Sequence, residues 1–139
     1  MKVIYHSSVQ GVLAQVVSAI HLRILPRERL PVRIEWVRIP YLNGFSKKDM
    51  GGVFLIGKTQ TLDEIYILAY SPSLGDLVRK TAASAWQLMK TVSGEMIMVD
   101  CAKIAKTTPV TLNPNAPSFE ESYFSMVRLV GEVEGGSYT

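Results

Sequence analysis

The chain has 139 residues, of which 47% are hydrophobic and 19% are charged, and its formal net charge is +3. This length and composition predict one globular domain, which we place at residues 1–134, followed by a flexible tail at residues 135–139. The basic residues are scattered rather than clustered, which argues against nucleic-acid binding. No stretch approaches about 18 consecutive apolar residues and no signal peptide is visible, so we expect a cytoplasmic protein with no membrane partner.

The beginning of the chain predicts a strand, a tight turn and a helix. Residues 3–5 are β-formers, whereas apolar residues recur at helical spacing over residues 12–24, so the periodicity changes within residues 7–11. In open α/β sheets such turns bind ligands, and a helix N-terminus offers unpaired N–H groups to a small phosphate-like anion. The candidate ligand-binding residues are Ser7, Ser8 and Gly11.

The rest of the chain predicts three further strands and two further helices. Residues 32–41 alternate as in a strand but also fit a helical face, and we interpret them as a short helix or an irregular connector. The conformation of residues 32–52 is left open. Strands are predicted over residues 53–56, 65–69 and 96–99, and helices over residues 73–93 and 118–134, with serine caps at Ser73 and Ser118.

The order of these elements predicts the fold. A strand, a helix and a strand in succession favour a right-handed crossover with parallel strands, so the first and fourth strands are expected to be parallel neighbours. The second and third strands are predicted to form an antiparallel hairpin in the same sheet. The predicted class is α/β, a small Rossmann-like three-layer sandwich whose mixed sheet has parallel central strands and one antiparallel hairpin.

Three polar residues form the candidate catalytic set. If the first and fourth strands are parallel neighbours, His6, Ser7 and Asp100 gather at one edge of the sheet and could act as base, nucleophile and orienting acid. Consecutive strand residues point to opposite faces, which argues against a His6–Ser7 pair. Ser7 with Gln10 also fits a capping box, which would give the serine a purely structural role.

No metal or cofactor site is predicted. His21 has no His, Cys or carboxylate at ligand spacing beside it, and neither a Walker loop nor a GxGxxG fingerprint is present. Cys101 is the only cysteine, which excludes a disulfide framework and favours a reducing compartment. A lone cysteine at the end of a strand is more typical of a small buried hydrophobe than of a reactive thiol.

Four segments resemble a known family. The runs MKVIYH, AIHLRILP, DMGGVFLIG and EIYILA are similar to an uncharacterised bacterial family, domain of unknown function 3189, over about the first hundred residues. Its members usually carry a Cys after the strand's His, then paired glycines, then His-Ser-Ser, a loop that resembles a phosphate cradle with a thiolate at its base. This chain has Ser7, Val9-Gln10 and Val12-Leu13-Ala14 at those places. The resemblance implies a divergent member without the activity of that loop.

Three functions of different classes are left open. The first is a non-catalytic protein that associates with itself as a homodimer, or with an intact relative as a hetero-oligomer, because its high apolar fraction leaves little polar surface to cover it. The alternatives are a small-anion binding domain at the first turn and a weak Ser/His/Asp hydrolase. The preferred interface is the helix that begins at Ser118, through Phe119, Tyr123, Phe124 and Val127.

Overall fold

The described part of the chain is a mixed sheet flanked by helices. This computed structural model describes residues 1–7, 12–42, 52–68, 95–106, 111 and 113–136. The strands are β1 (Lys2–His6), β2 (Val53–Lys58), β3 (Glu64–Leu68) and β4 (Met96–Asp100). The helices are α1 (Leu13–His21), α2 (Arg33–Trp36), a 3-10 helix (Cys101–Lys106) and α3 (Phe119–Glu134). The helix predicted over residues 73–93 lies outside the described residues.

The sheet has the strand order β2-β3-β1-β4. Strand β1 is parallel to both of its neighbours, β3 and β4, whereas β2 is antiparallel to β3. The predicted parallel pairing of the first and fourth strands is therefore confirmed, as is the hairpin that extends their sheet. The α/β class with a mixed sheet is confirmed as well. Of the two alternatives left open for residues 32–41, a short helix or an irregular connector, the structure has a short helix, α2, over Arg33–Trp36.

Burial on both faces explains the central place of β1. Val3, Ile4 and Tyr5 are all fully buried, and a continuous apolar run is what a strand covered on both faces requires. Alternate side chains enter different clusters because successive residues point to opposite faces. Val3 and Tyr5 join the main core with α1 and α3, whereas Ile4 packs with Leu68 in a second cluster on the other face.

Helix α1 is buried along its whole length. All nine of its residues are buried, and β1, β3 and α3 all contact it. A helix that is covered all round needs partners for its polar side chains. The Ser18 hydroxyl donates to the Gln15 carbonyl at 2.8 Å, and Gln15 Nε2 donates to the carbonyl of Tyr41 at 3.3 Å. These two residues thus link α1 internally and to the segment after α2.

The predictions that Ser7 and Ser118 cap helices are wrong. Helix α1 begins at Leu13 with Val12 in the N-cap position, so Ser7 lies too far before the helix to cap it. Ser118 occupies the N-cap position of α3, but its φ of −88° and ψ of 5° lie outside the extended region that directs a cap side chain to the helix. Its side chain makes no cap hydrogen bond. At Ser118 the sequence spacing of a capping box is present, but the extended backbone conformation that a capping box requires is not.

The aromatic residues of α3 serve the domain's own core. Phe119 and Tyr123 are buried and their ring centroids lie 6.0 Å apart, while Phe124 and Val127 pack half-buried against the same core. The Tyr123 hydroxyl donates to the carbonyl of Pro26. The interface predicted on this helix is therefore wrong for Phe119 and Tyr123, because side chains enclosed by the domain are not available as anchors for a partner.

The turn between β2 and β3 contains a strained residue. The Leu62 amide donates to the Thr59 carbonyl at 2.9 Å, and the Thr59 amide donates to the Asp63 carbonyl at 2.9 Å. This closure puts Leu62 in the left-handed region with a φ of 66°, although its side chain is largely exposed. A left-handed conformation costs an ordinary L-residue roughly 1–2 kcal/mol.

Replacement of Leu62 is expected to stabilise the protein. Leu62→Asn should raise the free energy of unfolding by about 0.5–1 kcal/mol, since asparagine tolerates this backbone conformation and no buried contact is lost. Urea melts of the variant and the natural protein measure the difference. Leu62→Ala removes the same exposed side chain but retains the strain, so an equal gain from alanine would contradict the explanation.

Candidate functional site

The predicted catalytic residues lie at the carboxyl-terminal edge of the sheet. His6 ends β1 and Asp100 ends β4, and the parallel register places these two residues side by side. His6 Nδ1 lies 3.9 Å from Asp100 Oδ1, which suits an ion pair with a protonated imidazole but exceeds a hydrogen-bond distance. Ser7 follows directly and is buried. The structure thus brings His6, Ser7 and Asp100 to one edge, while their catalytic role stays a prediction.

The carboxylate of Asp100 also has a structural contact. Its Oδ1 accepts a hydrogen bond from the amide of Ala102 at 3.0 Å, at the start of the 3-10 helix Cys101–Lys106. The oxygen that approaches His6 is therefore the same oxygen that caps this helix. Capping alone gives Asp100 a reason for its position, without any demand for catalysis.

One of the three predicted anion-binding residues, Ser7, lies within the described part of the chain. Ser7 is described and buried, whereas Ser8 and Gly11 lie outside the described residues. Because the first helical residue is Leu13, unpaired N–H groups at the N-terminus of α1 belong to the residues after Val12 rather than to Ser7. Anion binding at this turn stays a prediction.

Cys101 is a buried thiol. It is fully enclosed in the main core directly after β4. Burial raises the pKa of this thiol far above its ordinary value, and the nearby Asp100 carboxylate adds to the effect. The thiolate is the reactive form of cysteine, so this side chain behaves as the small buried hydrophobe that the sequence indicates.

A pocket that the sequence did not predict lies at the opposite edge of the sheet. It has a volume of about 290 Å³ and is bordered by the end of α1, the turn between β2 and β3, and the last residue of α3. Most of its lining is polar or charged. The lining residues that carry its chemistry are His21, Arg23, Lys58, Thr59, Thr61 and Glu134.

His21 forms the buried part of this pocket. Its Nδ1 lies 2.7 Å from the Tyr5 hydroxyl, and its Nε2 lies 3.8 Å from Glu134 Oε2. Burial lowers the pKa of His21, an effect that the carboxylate of Glu134 opposes and the cation of Arg27 reinforces. The carboxylate near Nε2 favours the neutral tautomer that carries its proton there, in which Nδ1 accepts the hydrogen bond of the Tyr5 hydroxyl. His21 therefore presents an N–H group on the side of Glu134.

Arg27 fixes Glu134 in place. The guanidinium donates to both carboxylate oxygens of Glu134, and these hydrogen bonds hold the pKa of that carboxyl below its ordinary value. Arg27 also donates to the carbonyls of Ile20 and His21, at 3.3 and 3.1 Å. A cation at the end of a helix is favourable because the last carbonyls are unpaired there. Arg27 thus joins the ends of α1 and α3.

The sequence carried only an indirect signal for this pocket. The neighbours of His21 in the chain offer no metal ligand, and its partners Tyr5 and Glu134 come from other elements. The sequence feature that indicates the pocket is His21 itself, a polar and titratable residue at the end of an otherwise apolar helix pattern. Such a residue needs a buried partner, and that requirement points to a second polar group nearby.

Comparison with models of protein families shows to which family the chain belongs. The model of a family described as protein of unknown function (DUF3189) matches residues 2–111. The chain belongs to the DUF3189 family. The matched range of this DUF3189 protein includes every strand of the sheet and ends before α3, so Glu134 lies beyond it. No curated protein and no solved structure matches the chain.

The DUF3189 match covers both edges of the sheet. His6, Ser7 and Asp100 at one edge lie within it, as do His21, Arg23 and Lys58 at the other. Among the described residues of this DUF3189 protein, no helix is both long and apolar enough to cross a membrane. The family description itself assigns no activity to either edge.

Proposed function

We propose that this DUF3189 protein is a non-catalytic member of its family that acts by associating with a second copy of itself. The observation that carries the proposal is a group of exposed apolar side chains within residues 32–41, which we call the 32–41 surface. Val32, Ile34, Val37 and Tyr41 are 52%, 62%, 72% and 45% exposed. Grouped exposure of this kind is typical of protein interaction sites.

The 32–41 surface is held to the domain from beneath. Trp36 lies against Phe119 of α3 with ring centroids 5.8 Å apart, and Tyr41 lies beside Phe54 of β2 at 5.6 Å. Ile39 is buried in the main core. The segment is thus anchored by some of its apolar side chains while it exposes the others, which presents a preformed surface to a partner at little cost in conformational entropy.

Charge around the 32–41 surface favours a second copy as the partner. Exposed Arg33 and Arg38 form no salt bridge with another described residue, while Glu28 is exposed nearby in the sequence. A two-fold interface uses the same surface twice, so a surface that carries both signs can pair with itself. An arginine of one copy would then meet the glutamate of the other at the rim, where such pairs contribute orientation more than affinity.

The carboxyl-terminal edge supports the non-catalytic part of the proposal. A serine hydrolase needs its nucleophile and base within about 3 Å and a base that is oriented by a third group. Here the His6 and Asp100 atoms are 3.9 Å apart, the nearer carboxylate oxygen caps a helix, and Ser7 is buried. The capping contact accounts for the position of Asp100 without catalysis.

Charged substitutions on the 32–41 surface are expected to dissociate the dimer. Ile34→Asp and Val37→Asp should each weaken self-association by at least about tenfold, because a carboxylate would lose its hydration in an apolar contact. Both side chains are exposed, so the fold should be retained. Sedimentation velocity over about 1 to about 300 µM protein measures the monomer–dimer equilibrium.

Leu62→Asp is the matched control. Leu62 is 75% exposed and lies in the turn between β2 and β3, away from residues 32–41 in the chain. The substitution Leu62→Asp introduces the same charge at a similarly exposed apolar position and should leave the dimer intact. If the natural protein stays monomeric over the whole concentration range, self-association is contradicted. The remaining form of association would then be a hetero-oligomer with an intact relative.

A further inference from the structure

Two cations line the pocket at the amino-terminal edge of the sheet. Arg23 and Lys58 both line the pocket, and neither forms a salt bridge with another described residue. The residue across the hairpin from Lys58 is Glu64, but its carboxylate is bonded to Lys2. Glu134, the one carboxylate among the described residues of the lining, is bonded through both oxygens to Arg27. The charge available to a ligand is therefore positive.

The backbone at Arg23 favours glycine, yet an arginine stands there. Helix α1 ends in a Schellman arrangement, in which the Arg23 amide donates to the Ile20 carbonyl and the Ile24 amide donates to the Ala19 carbonyl. Arg23 occupies the left-handed position of this motif with a φ of 59°. Glycine would adopt that conformation without strain. The arginine thus contributes a guanidinium at the border of the pocket at some expense in stability.

The turn between β2 and β3 adds polar groups in a fixed arrangement. The hydroxyls of Thr59 and Thr61 lie 3.0 Å apart, Thr61 donates to Asp63 at 3.1 Å, and the Asp63 amide donates to the Thr59 hydroxyl at 3.1 Å. The Asp63 carboxylate is itself paired with the terminal amine of Met1 at 3.2 Å. Its negative charge is therefore compensated, and it does not cancel the cations of the pocket.

We propose that this pocket binds the phosphate group of a small phosphomonoester. Arg23, Arg27, Lys58 and Glu134 together carry a net charge of +2 while His21 is neutral, which matches a phosphate dianion. An arginine fork from the segment after α1 and a lysine point charge from the end of β2 line the pocket, and their N–H groups suit a tetrahedral group with several acceptor oxygens. The volume of about 290 Å³ leaves room for a small organic moiety beside Gln60 and lies at the lower end of the range for small-molecule sites.

Binding of glycerol 3-phosphate and of inorganic phosphate tests the proposal. Titrations followed by amide chemical shifts should give saturable changes at Leu22, Arg23 and residues 59–61, with glycerol 3-phosphate the tighter ligand if the organic moiety is held. Equal affinity for the two ligands would assign the site to the phosphate group alone. Glycerol without phosphate should not bind.

Three variants separate this site from general charge attraction. Arg23→Gly places glycine where the backbone favours it, so the fold should be retained while the dissociation constant rises by about tenfold or more. Lys58→Gln should have a similar effect. Arg128→Gln removes an exposed cation that does not line the pocket, and the dissociation constant should not change.

Two results would overturn the inference. One is the absence of saturable shifts in the pocket up to about 10 mM ligand, a concentration at which even weak sites are occupied. The other is an equal loss of binding in Arg128→Gln, which would show that overall charge attracts the ligand. Neither result bears on self-association, because the pocket and the 32–41 surface share no residue.

Discussion

Tyr123→Ala is expected to lower the free energy of unfolding by about 3–5 kcal/mol, the range for truncation of a buried aromatic side chain. Tyr123 is fully buried and lies between Phe119 and Phe124, with ring centroids 6.0 and 5.6 Å away. Its hydroxyl is bonded to the carbonyl of Pro26, so the ring also connects α3 to the chain after α1. Alanine would leave a cavity and an unpaired carbonyl together.

Tyr123→Phe separates these two contributions. The ring is retained and only the hydroxyl is removed, so the expected loss is about 1–3 kcal/mol, the cost of a buried group that loses its partner. Urea melts at equal protein concentration measure both variants. Tyr123→Glu should unfold the protein rather than dissociate a folded dimer. A loss of less than about 1 kcal/mol in Tyr123→Ala would contradict the core position of this ring.

The sheet could be predicted because its strands are visible as short apolar runs in the sequence, and their order along the chain favours one way of pairing them. The apolar runs that became β1 and β4 are continuous, and a strand, a helix and a strand in succession leave parallel pairing as the favoured solution. In a parallel pair the carboxyl ends of the two strands lie at the same edge, and His6 of β1 is paired with Asp100 of β4. The class of the fold and the meeting of those two residues were therefore accessible from the sequence.

The capping predictions and the prediction of Phe119 and Tyr123 as interface anchors failed for a common reason. Each relied on residue types at a fixed spacing, whereas the outcome depends on backbone angles and on which side of a helix the domain covers. Ser118 has the expected place but not the extended backbone of a cap. Phe119 and Tyr123 form an apolar stripe, and an apolar stripe has the same pattern whether it faces the domain's own core or a partner.

The pocket could not be predicted because its parts are far apart in the chain. Arg23 follows α1, Lys58 ends β2, and Glu134 ends α3. Only the packing of α3 along α1 brings Glu134 to His21. A sequence pattern finds sites whose residues share one motif, such as a turn after a strand, and this pocket is assembled from three separate segments.

The stability of the protein is expected to fall as the pH decreases from about 7.5 to about 5, because of His21. Burial lowers the pKa of His21 below its ordinary value of 6.5. As the pH falls through that value, the unfolded chain takes up a proton that the folded protein does not, so the unfolded state gains stability. One such group changes the free energy of unfolding by at most about 1.4 kcal/mol per pH unit. Above the ordinary pKa, its contribution to stability is complete.

Charged groups around His21 provide the controls. Tyr5, Arg23, Arg27, Asp63 and Glu134 face it; Glu134 and Asp63 raise its pKa, whereas the two arginines lower it. Glu134→Gln should therefore lower the pKa of His21 further and extend the loss of stability to lower pH.

Urea melts at half-unit pH intervals measure the dependence. His21→Gln should remove the pH dependence over this range, whereas His6→Gln should retain the contribution of His21. The carboxyl of Glu134 titrates below this window, because Arg27 holds its pKa below 4.5. A slope that persists in His21→Gln and disappears in His6→Gln would assign the pH dependence to the carboxyl-terminal edge of the sheet, and His21 would then not be the group whose protonation opposes folding.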